Sequence, residues 1–258
     1  MTRATVPRPR NRRAVVGALG AVLFLLGCGG GAESRMAEIR ALQEQGQFDA
    51  SVSALDQVLA RDPGHAEANY RLGLALVQTG EPSRAVWPLQ KAAGKTGYEI
   101  SAGVLLASTY FQTQNYDEAI RAADRVLALE PERQAVLRIR ANANLAARRL
   151  DAAYEDSSRL VALYPNDYGV RALHAAVLGD LGRLAEAEQA NALLKQMGDQ
   201  SDDPDFRSRA CLAPAIFANE KLKDSRKAKA LYDDCAGRKP TRWLITTVSV
   251  GLRPAQSS

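Results

Sequence analysis

The residues of this chain best suited to metal binding or nucleophilic catalysis are its three cysteines and two histidines. They are Cys28, Cys211, Cys235, His65 and His174. None of the motifs that arrange such residues for chemistry occurs, because the sequence has no HExxH pair, no glycine-rich phosphate loop after a strand and no GxSxG nucleophile turn. The sequence therefore predicts a protein that is not an enzyme and that uses no cofactor or metal.

The elements that must position any site are set by an internal repeat of 34 residues. Pro131 and Pro165 lie one period apart, and Pro63 lies two periods before Pro131. Small and bulky residues return at the same places in each period. The middle unit has Leu106, Ala107, Tyr110, Tyr116, Ala119, Ala123 and Val126, and the unit before it has Leu72, Gly73, Leu76, Gly80, Ala85, Leu89 and Ala92. A helix–turn–helix period of this length and pattern resembles the tetratricopeptide repeat.

The resemblance implies an all-α fold, a right-handed α-solenoid of about five to six helix pairs. In such an array the first helix of each pair lines the concave face. We place the array at residues 36–242, with the last unit following seven extra residues. The units run over about 32–65, 66–99, 100–133, 134–167, 168–201 and 209–242.

The C-terminal part departs from the regular pattern. Asp203 and Pro204 are suited to begin the first helix of the last unit, and Pro214 should kink that helix. Residues 243–258 are predicted to form a capping helix and a tail, because an array needs an end that hides its last apolar face. A strand over residues 245–250, which are rich in β-branched side chains, is the alternative.

The N-terminus has the pattern of an export signal. Residues 1–13 carry five arginines, and residues 14–27 are wholly apolar, a run too short for a membrane-spanning helix of about 20 residues. The run ends in Leu25-Leu26-Gly27-Cys28, which resembles the lipobox of bacterial lipoproteins.

The lipobox implies that residues 1–27 are a signal peptide and that Cys28 carries a lipid anchor, followed by a tether of residues 28–35. The protein would then be attached to the bacterial cell envelope and face the periplasm. Gly29, in place of Asp, favours the outer membrane by the sorting rule of that family. An uncleaved signal anchor and an ordinary signal peptide are the alternatives.

The net charge of +5 does not predict nucleic-acid binding, because five arginines of the leader account for it. The remaining charge is uneven. Residues 28–205 hold 18 basic and 25 acidic side chains, whereas residues 206–258 hold 11 basic and 4 acidic ones. The basic end could meet an anionic polymer, a lipid headgroup or an acidic protein face. A solvated, lysine-rich cap is the simpler interpretation.

In the repeat frame Cys211 and Cys235 fall near the start of the first helix and the end of the second helix of the last unit. Antiparallel helices bring those places together, and paired cysteines in an oxidising compartment favour a disulfide. Two buried cysteines used as small apolar residues, or a metal or catalytic thiol site, are the alternatives. His174 occupies a packing place and is predicted to be at least partly buried, whereas His65 lies in a solvated turn.

The resemblance also places several residues of each first helix on the concave face. In units two to four they are apolar or aromatic, with a polar pair, Arg138 and Asn142, where some relatives hold a C-terminal carboxylate. An amphipathic helix or an extended peptide could lie there. For Tyr70 and Phe111, packing against the next repeat is the alternative. The candidate groove residues are Tyr70, Leu74, Val77, Val104, Ser108, Phe111, Arg138, Asn142 and Leu145.

The sequence thus predicts an envelope-anchored scaffold that holds or assembles other proteins, of the kind found in pilus, secretion or outer-membrane assembly. Its partners would be proteins of the envelope and, through the lipid, the membrane. The alternative function is a component of polysaccharide export or biosynthesis that contacts an anionic polymer through the basic C-terminal end.

Overall fold

The computed structural model of the chain describes residues 31–236, which form α-helices joined by short turns and contain no strand. The all-α solenoid is therefore confirmed for this part. Cys28, the leader and residues 243–258 lie outside the described residues. The helices are α1 (Gly31–Glu44), α2 (Phe48–Arg61), α3 (Ala66–Gln78), α4 (Pro82–Ala93), α5 (Glu99–Gln112), α6 (Tyr116–Leu129), α7 (Gln134–Ala146), α8 (Leu150–Leu163), α9 (Tyr168–Asp180), α10 (Leu184–Asp199), α11 (Pro204–Glu220) and α12 (Ser225–Ala236).

Consecutive helices pack as six pairs, and in units two to five the first helix begins within one residue of the predicted start. The first unit differs, because α1 begins at Gly31 and residues 31–35 of the predicted tether are helical. Fully buried Met36 holds this end against the core, and Arg40 binds Glu33 two turns earlier at 2.8 Å. Residues 31–35, which the sequence analysis assigned to the tether, therefore belong to the first helix of the array.

In the sixth unit α11 begins at Pro204, five residues before the predicted frame. The side chain of Asp203 accepts hydrogen bonds from the backbone N–H groups of Asp205 and Phe206, so the predicted cap is present. The helix continues through Pro214 to Glu220 as one element, and the expected kink does not end it.

The units pack closely because small residues face large ones. A Cβ at Gly73 would lie 2.4 Å from Leu89 Cδ2, so only glycine lets α3 and α4 approach this closely. Leu89, Leu106, Leu137 and Leu160 are almost completely buried in one core that runs from Leu76 to Val177. Each such leucine contributes about 2 kcal/mol of hydrophobic free energy. Separate, smaller clusters lie at the two ends of the array.

Every turn between paired helices contains one residue with a left-handed backbone, at the same place in each of the six units. These residues are Gly46, Gly80, Gln114, Arg148, Gly182 and Lys223, with φ between 56° and 83°. The position of Lys223 shows that the predicted frame of unit six holds for its turn and second helix, although its first helix starts early.

Candidate protein-binding surfaces

The first helices of units two, three and four lie side by side, with α3 against α5 and α5 against α7. Each helix buries one face in the core, and the predicted groove residues lie on the opposite face. Arg138 is exposed, and the other eight are half-buried. The structure thus brings all nine predicted residues onto one partly exposed surface, which we call the groove.

The two aromatic residues of the groove are each supported by a second ring. The centroid of Tyr70 lies 5.6 Å from that of Tyr98, the residue directly before α5, so Tyr70 does contact the start of the next repeat. Phe111 lies 5.8 Å from Tyr116 within its own unit. Both rings remain half-exposed. Packing and partner binding are therefore compatible for these side chains, because one side of each ring is fixed and the other is accessible.

Asn142 is engaged within the chain, whereas the exposed Arg138 guanidinium makes no hydrogen bond or ion pair with residues 31–236. Asn142 Nδ2 donates to the carbonyl oxygen of Arg138 at 2.7 Å. A Cβ at Gly169 would lie 3.1 Å from Arg138 Nη2 and 3.2 Å from Asp167 Oδ1, so the guanidinium and the carboxylate flank this glycine. Burial opposes ionisation of Asp167, but a hydrogen bond from the Val170 N–H and the Arg138 charge hold its pKa below the ordinary value. The Asn142 amide nitrogen is therefore occupied within the chain, and a carboxylate clamp at this pair stays a prediction.

A charged network that the sequence did not predict borders the groove beside Tyr70. Glu67 Oε1 accepts from Arg40 Nε at 2.8 Å and from Arg71 Nε at 2.6 Å, and Gln43 bonds to Arg71 at two places. Burial raises the pKa of Glu67, but the hydrogen bonds from both arginines outweigh it and lower the pKa. The Glu67–Arg71 spacing of four residues was a visible signal. Arg40 comes from the preceding unit, so its contact with Glu67 could not be predicted from the sequence.

A second surface, also not predicted, lies on the first helices of units five and six. Between α9 and α11 is an apolar cavity of about 200 Å³. On α9 it is lined by Ala172, Ala176 and Gly179, at the places that hold Tyr, Leu and Val in unit two. Ile216 and Phe217 line it on α11, and Ile216 is 41% exposed. The signal in the sequence was a run of small residues at groove places.

Charged residues border this cavity. The Asp180 carboxylate accepts from Arg148 Nη1 at 2.8 Å and pairs with Lys221. Glu220 also lines the cavity and is exposed. Among residues 31–236 its carboxylate has no ion pair or hydrogen bond. The two carboxylates balance the two basic groups, and Glu220 is the member of the four without an ion pair in this part of the chain.

The structure joins Cys211 and Cys235 in a disulfide, with the Cα atoms 5.8 Å apart and both residues buried. This is the first of the alternatives that the sequence left open. Three lysines of the same unit are paired with carboxylates, which neutralises much of this part of the basic end. The pairs are Lys221–Asp180, Lys227–Glu188 and Lys229–Asp233. Residues 204–236 therefore lend no support to the polymer-binding alternative.

The nearest approach to a nucleophile–base pair is Ser157 and His174, whose Oγ and Nδ1 atoms are 3.0 Å apart. Ser157 is completely buried, so no substrate can reach its hydroxyl. His174 is half-buried, as predicted, and stacks on Tyr154 at 5.6 Å. Burial lowers the pKa of His174, and the charges of Arg183 and Arg171 lower it further. The pair is part of the packing between α8 and α9.

The described residues contain no group of three or more His, Cys, Asp or Glu side chains placed to hold a metal ion. Within the same part of the chain, none of the helices combines the length and the hydropathy needed to cross a membrane.

A family model described as tetratricopeptide repeat matches residues 36–99 and 104–168, which together are half of the chain. The chain belongs to the tetratricopeptide-repeat family. Units five and six lie outside the matched ranges, yet they keep the helix pairs and the left-handed turn of this tetratricopeptide-repeat protein. Proteins of the family bind protein partners, so the chain is a protein-interaction scaffold.

Solved structures show the same fold at low identity. A tetratricopeptide repeat protein from Parabacteroides merdae ATCC 43184 is 16% identical, with a TM-score of 0.69 over 80% of this chain and 79% of that one. MamA, residues 41 to the end, from Desulfovibrio magneticus RS-1 is 16% identical, with a TM-score of 0.62 over 67% and 97%. PilF from Pseudomonas aeruginosa is 18% identical, with a TM-score of 0.58 over 85% and 97%. No curated protein matches the sequence.

Proposed function

We propose that this chain is a lipid-anchored scaffold of the bacterial cell envelope whose groove binds a segment of a protein partner and so takes part in assembling an envelope complex. The observation that carries the proposal is the half-exposed apolar face of α3 and α5, which Leu145 extends onto α7. Exposed apolar surface of this kind is where soluble domains bind other proteins. Two fixed aromatic rings, Tyr70 and Phe111, provide the anchors that peptide-binding grooves use.

The chemistry of the groove favours an apolar stripe on the partner. Leu74, Val77, Val104 and Leu145 supply aliphatic contacts, and Ser108 is the polar member of the same face. The charges beside Tyr70 are compensated within the chain, whereas Arg138 at the other end has no ion pair among residues 31–236. An amphipathic helix or an extended peptide with apolar side chains on one face fits this surface. Because few free charges take part, we expect binding to depend weakly on salt.

The envelope location rests on the leader and on the disulfide. Residues 1–28 have the order of a lipoprotein signal, with arginines, an apolar run and a cysteine after Leu-Leu-Gly. Disulfides are typical of compartments outside the cytosol. The link between Cys211 and Cys235 is therefore in keeping with export to the periplasm.

Site-specific photo-crosslinking tests the groove. A photoreactive amino acid replaces Phe111 in the full-length protein in its own host, and the adducts are identified by mass spectrometry. We expect discrete protein adducts that disappear when Tyr70→Ala and Leu74→Ala are combined. Trp87→Ala is the matched control, because Trp87 is an aromatic residue of the same unit that lies on α4 and is 65% exposed. Adducts that survive the groove change, or that the Trp87 change removes equally, would refute the proposal.

Fractionation tests the anchor separately. If lipidation and cleavage both depend on Cys28, Cys28→Ala should keep residues 1–27 and be longer than the mature wild-type protein, which should itself lie in the membrane fraction with its lipid. A wild-type protein of the same, uncleaved length as the variant would instead indicate the signal-anchor alternative.

A further inference from the structure

We infer that the cavity between α9 and α11 is a docking site for the chain's own C-terminal segment, residues 243–252. This segment reads Trp-Leu-Ile-Thr-Thr-Val-Ser-Val-Gly-Leu. The inference concerns a surface apart from the groove, and it does not rest on the partner-binding function proposed above.

The cavity exists because α9 has small side chains at places where unit two has large ones. At about 200 Å³ it is several times larger than the roughly 30 Å³ that one water molecule occupies in the liquid. Most of its lining is alanine, glycine, leucine, isoleucine and phenylalanine, and the polar exceptions are Glu220, Lys221 and Asn191, whose amide nitrogen already donates to the Ala187 carbonyl oxygen. An apolar side chain that entered it would cover Ile216, one of the most exposed large apolar residues of the described part. Filling the cavity with an apolar side chain is therefore favourable, because it removes apolar surface from water.

The end of the array does not need this segment as a cap. The outward residues of α12 include Arg226, Lys229 and Asp233, which are exposed and charged. A terminal repeat with such a polar outer face already closes a solenoid. Residues 243–252 contain six apolar side chains, and the cavity offers them more apolar surface than the outside of α12 does.

The disulfide places the segment within reach. It fixes Cys235, near the end of α12, beside Cys211 on α11. Ile216 lies five residues after Cys211 on the same helix, which is about 7.5 Å along its axis. Trp243 follows Cys235 by eight residues, and an extended chain of that length spans up to about 28 Å. The connection is therefore long enough to turn back onto the first helices.

The charges are complementary. Residues 237–258 carry Arg238, Lys239, Arg242 and Arg253 and contain no acidic side chain. The mouth of the cavity carries the Glu220 carboxylate, which has no ion-pair partner among the described residues. The basic residues directly before Trp243 would bring positive charge to that carboxylate as the apolar side chains enter.

Photo-crosslinking at two positions tests this docking in the full-length chain. A photoreactive amino acid is placed either at Ile216, at the cavity, or at Ala230, on the exposed side of α12. Trypsin cuts after Arg242, so an adduct to the segment is recognised as a branched peptide whose one arm begins at Trp243. We expect this adduct from position 216 and not from position 230.

The origin of the adduct decides between the possible occupants. In a mixture of ¹⁴N- and ¹⁵N-labelled protein, docking within one chain gives adducts of a single label. Mixed-label adducts would assign the cavity to a second copy, and adducts from position 230 alone would make the segment an end cap. Adducts to another protein alone, or none at either position, would show that the segment does not occupy the cavity. Each of these four results overturns the inference.

Tryptophan fluorescence gives a second, independent reading. With Trp87→Phe, Trp243 is the remaining tryptophan, because the chain has two. We expect its emission at the short wavelength of a buried indole, and Ile216→Asp should shift it to longer wavelength. Ala230→Asp, an equal change of charge on the exposed side of α12, should leave it unchanged. An emission that is insensitive to Ile216→Asp, in a variant whose helix content is intact, would contradict the docking.

Discussion

Units two and five have the same arrangement of helices and turn but present surfaces of different shape. Helices α3 and α9 each have 13 residues, and each is followed by a turn with a left-handed glycine. In unit two the fifth, ninth and twelfth places hold Tyr70, Leu74 and Val77, whereas in unit five they hold Ala172, Ala176 and Gly179. The first set makes an apolar surface and the second leaves a cavity. The repeat fixes where side chains lie, and their size alone decides what each surface can bind.

The groove region, units two to four, and the end of the array, unit six, also differ in what stabilises them. Units two to four share one continuous core, so each unit is held on both sides by its neighbours. Unit six has a small cluster of Cys211, Leu212, Cys235 and Tyr232, and the disulfide lies inside it. Since a solenoid is stabilised mainly by contacts between neighbouring units, the end of the array should unfold before the groove region does.

The largest effect that separates the two regions should come from removing the disulfide. Replacing Cys211 and Cys235 by serine opens a loop with a sequence separation of 24 residues and should cost about 3 kcal/mol of unfolding free energy. Hydrogen exchange followed by mass spectrometry should show loss of protection in α11 and α12, with α5 and α6 unchanged. Chemical reduction of the wild-type protein is the matched control and should give the same pattern. Equal loss of protection in α6 would show that the array unfolds as one unit.

Unit four, the last unit of the groove region, contains a buried ion pair. Arg140 binds both carboxylate oxygens of Asp156 at 2.9 and 2.6 Å, and also binds Asp124 at 2.6 Å. Asp156 is 3% exposed, so Arg140→Leu would leave its charge buried and unpaired. Because Arg140 itself is partly exposed in the wild-type protein, we expect Arg140→Leu to lower the free energy of unfolding by about 2 kcal/mol. This is below the usual cost of breaking a buried ion pair.

A double change distinguishes this mechanism from simple loss of packing. Combining Arg140→Leu with Asp156→Ala removes both charges, so urea denaturation should show less destabilisation than Arg140→Leu alone. A double variant less stable than the single one would mean that the pair acts through packing and not through charge.

The sequence predicted the regular part of the array well, because in units two to five the same packing contacts recur every 34 residues. Its misses lie where a contact belongs to one unit only. Arg140 stands at a place that holds Leu72 in unit two, and its partner Asp156 comes from the next helix of the chain. The cavity requires side chains from α9 and α11 together, and small residues at groove places have no periodic signature. The early start of α1 involves Met36, which periodicity does not describe, whereas the start of α11 at Pro204 was predicted from its Asp203 cap and not from the period.

A smaller effect, of opposite sign, concerns the turn of unit three. Gln114 has a φ of 61°, where Gly80 and Gly182 stand in units two and five. Gln114→Gly relieves the steric cost of a left-handed side chain but adds freedom to the unfolded chain, so it should stabilise by about 0.5–1 kcal/mol. Gln112→Gly, at the last residue of α5, should instead destabilise by up to about 1 kcal/mol, the cost of glycine in a helix interior. If thermal denaturation shows that both variants are less stable than the wild-type protein, this turn is not strained.

The smallest effect should be a pH dependence of stability that arises from His174 in unit five. Burial and two nearby arginines lower the pKa of His174, so the folded state favours the neutral ring. Above the ordinary histidine value of about 6.5 both states are neutral, and this stability is fully present. As the pH falls below 6.5 the unfolded chain takes up the proton first, and stability decreases until the folded pKa is passed. Because His174 is half-buried, the free energy of unfolding should change with pH by a fraction of the roughly 1.4 kcal/mol per pH unit that one proton carries.

Urea denaturation between pH 5.5 and 7.5 should show this slope in the wild-type protein and a flatter curve in His174→Gln. The carboxylates with lowered pKa values, Glu67 and Asp167, titrate below this range and do not contribute to it. A slope that survives His174→Gln would have to arise elsewhere in the chain, and unit five would then not differ from the groove region in its response to acid.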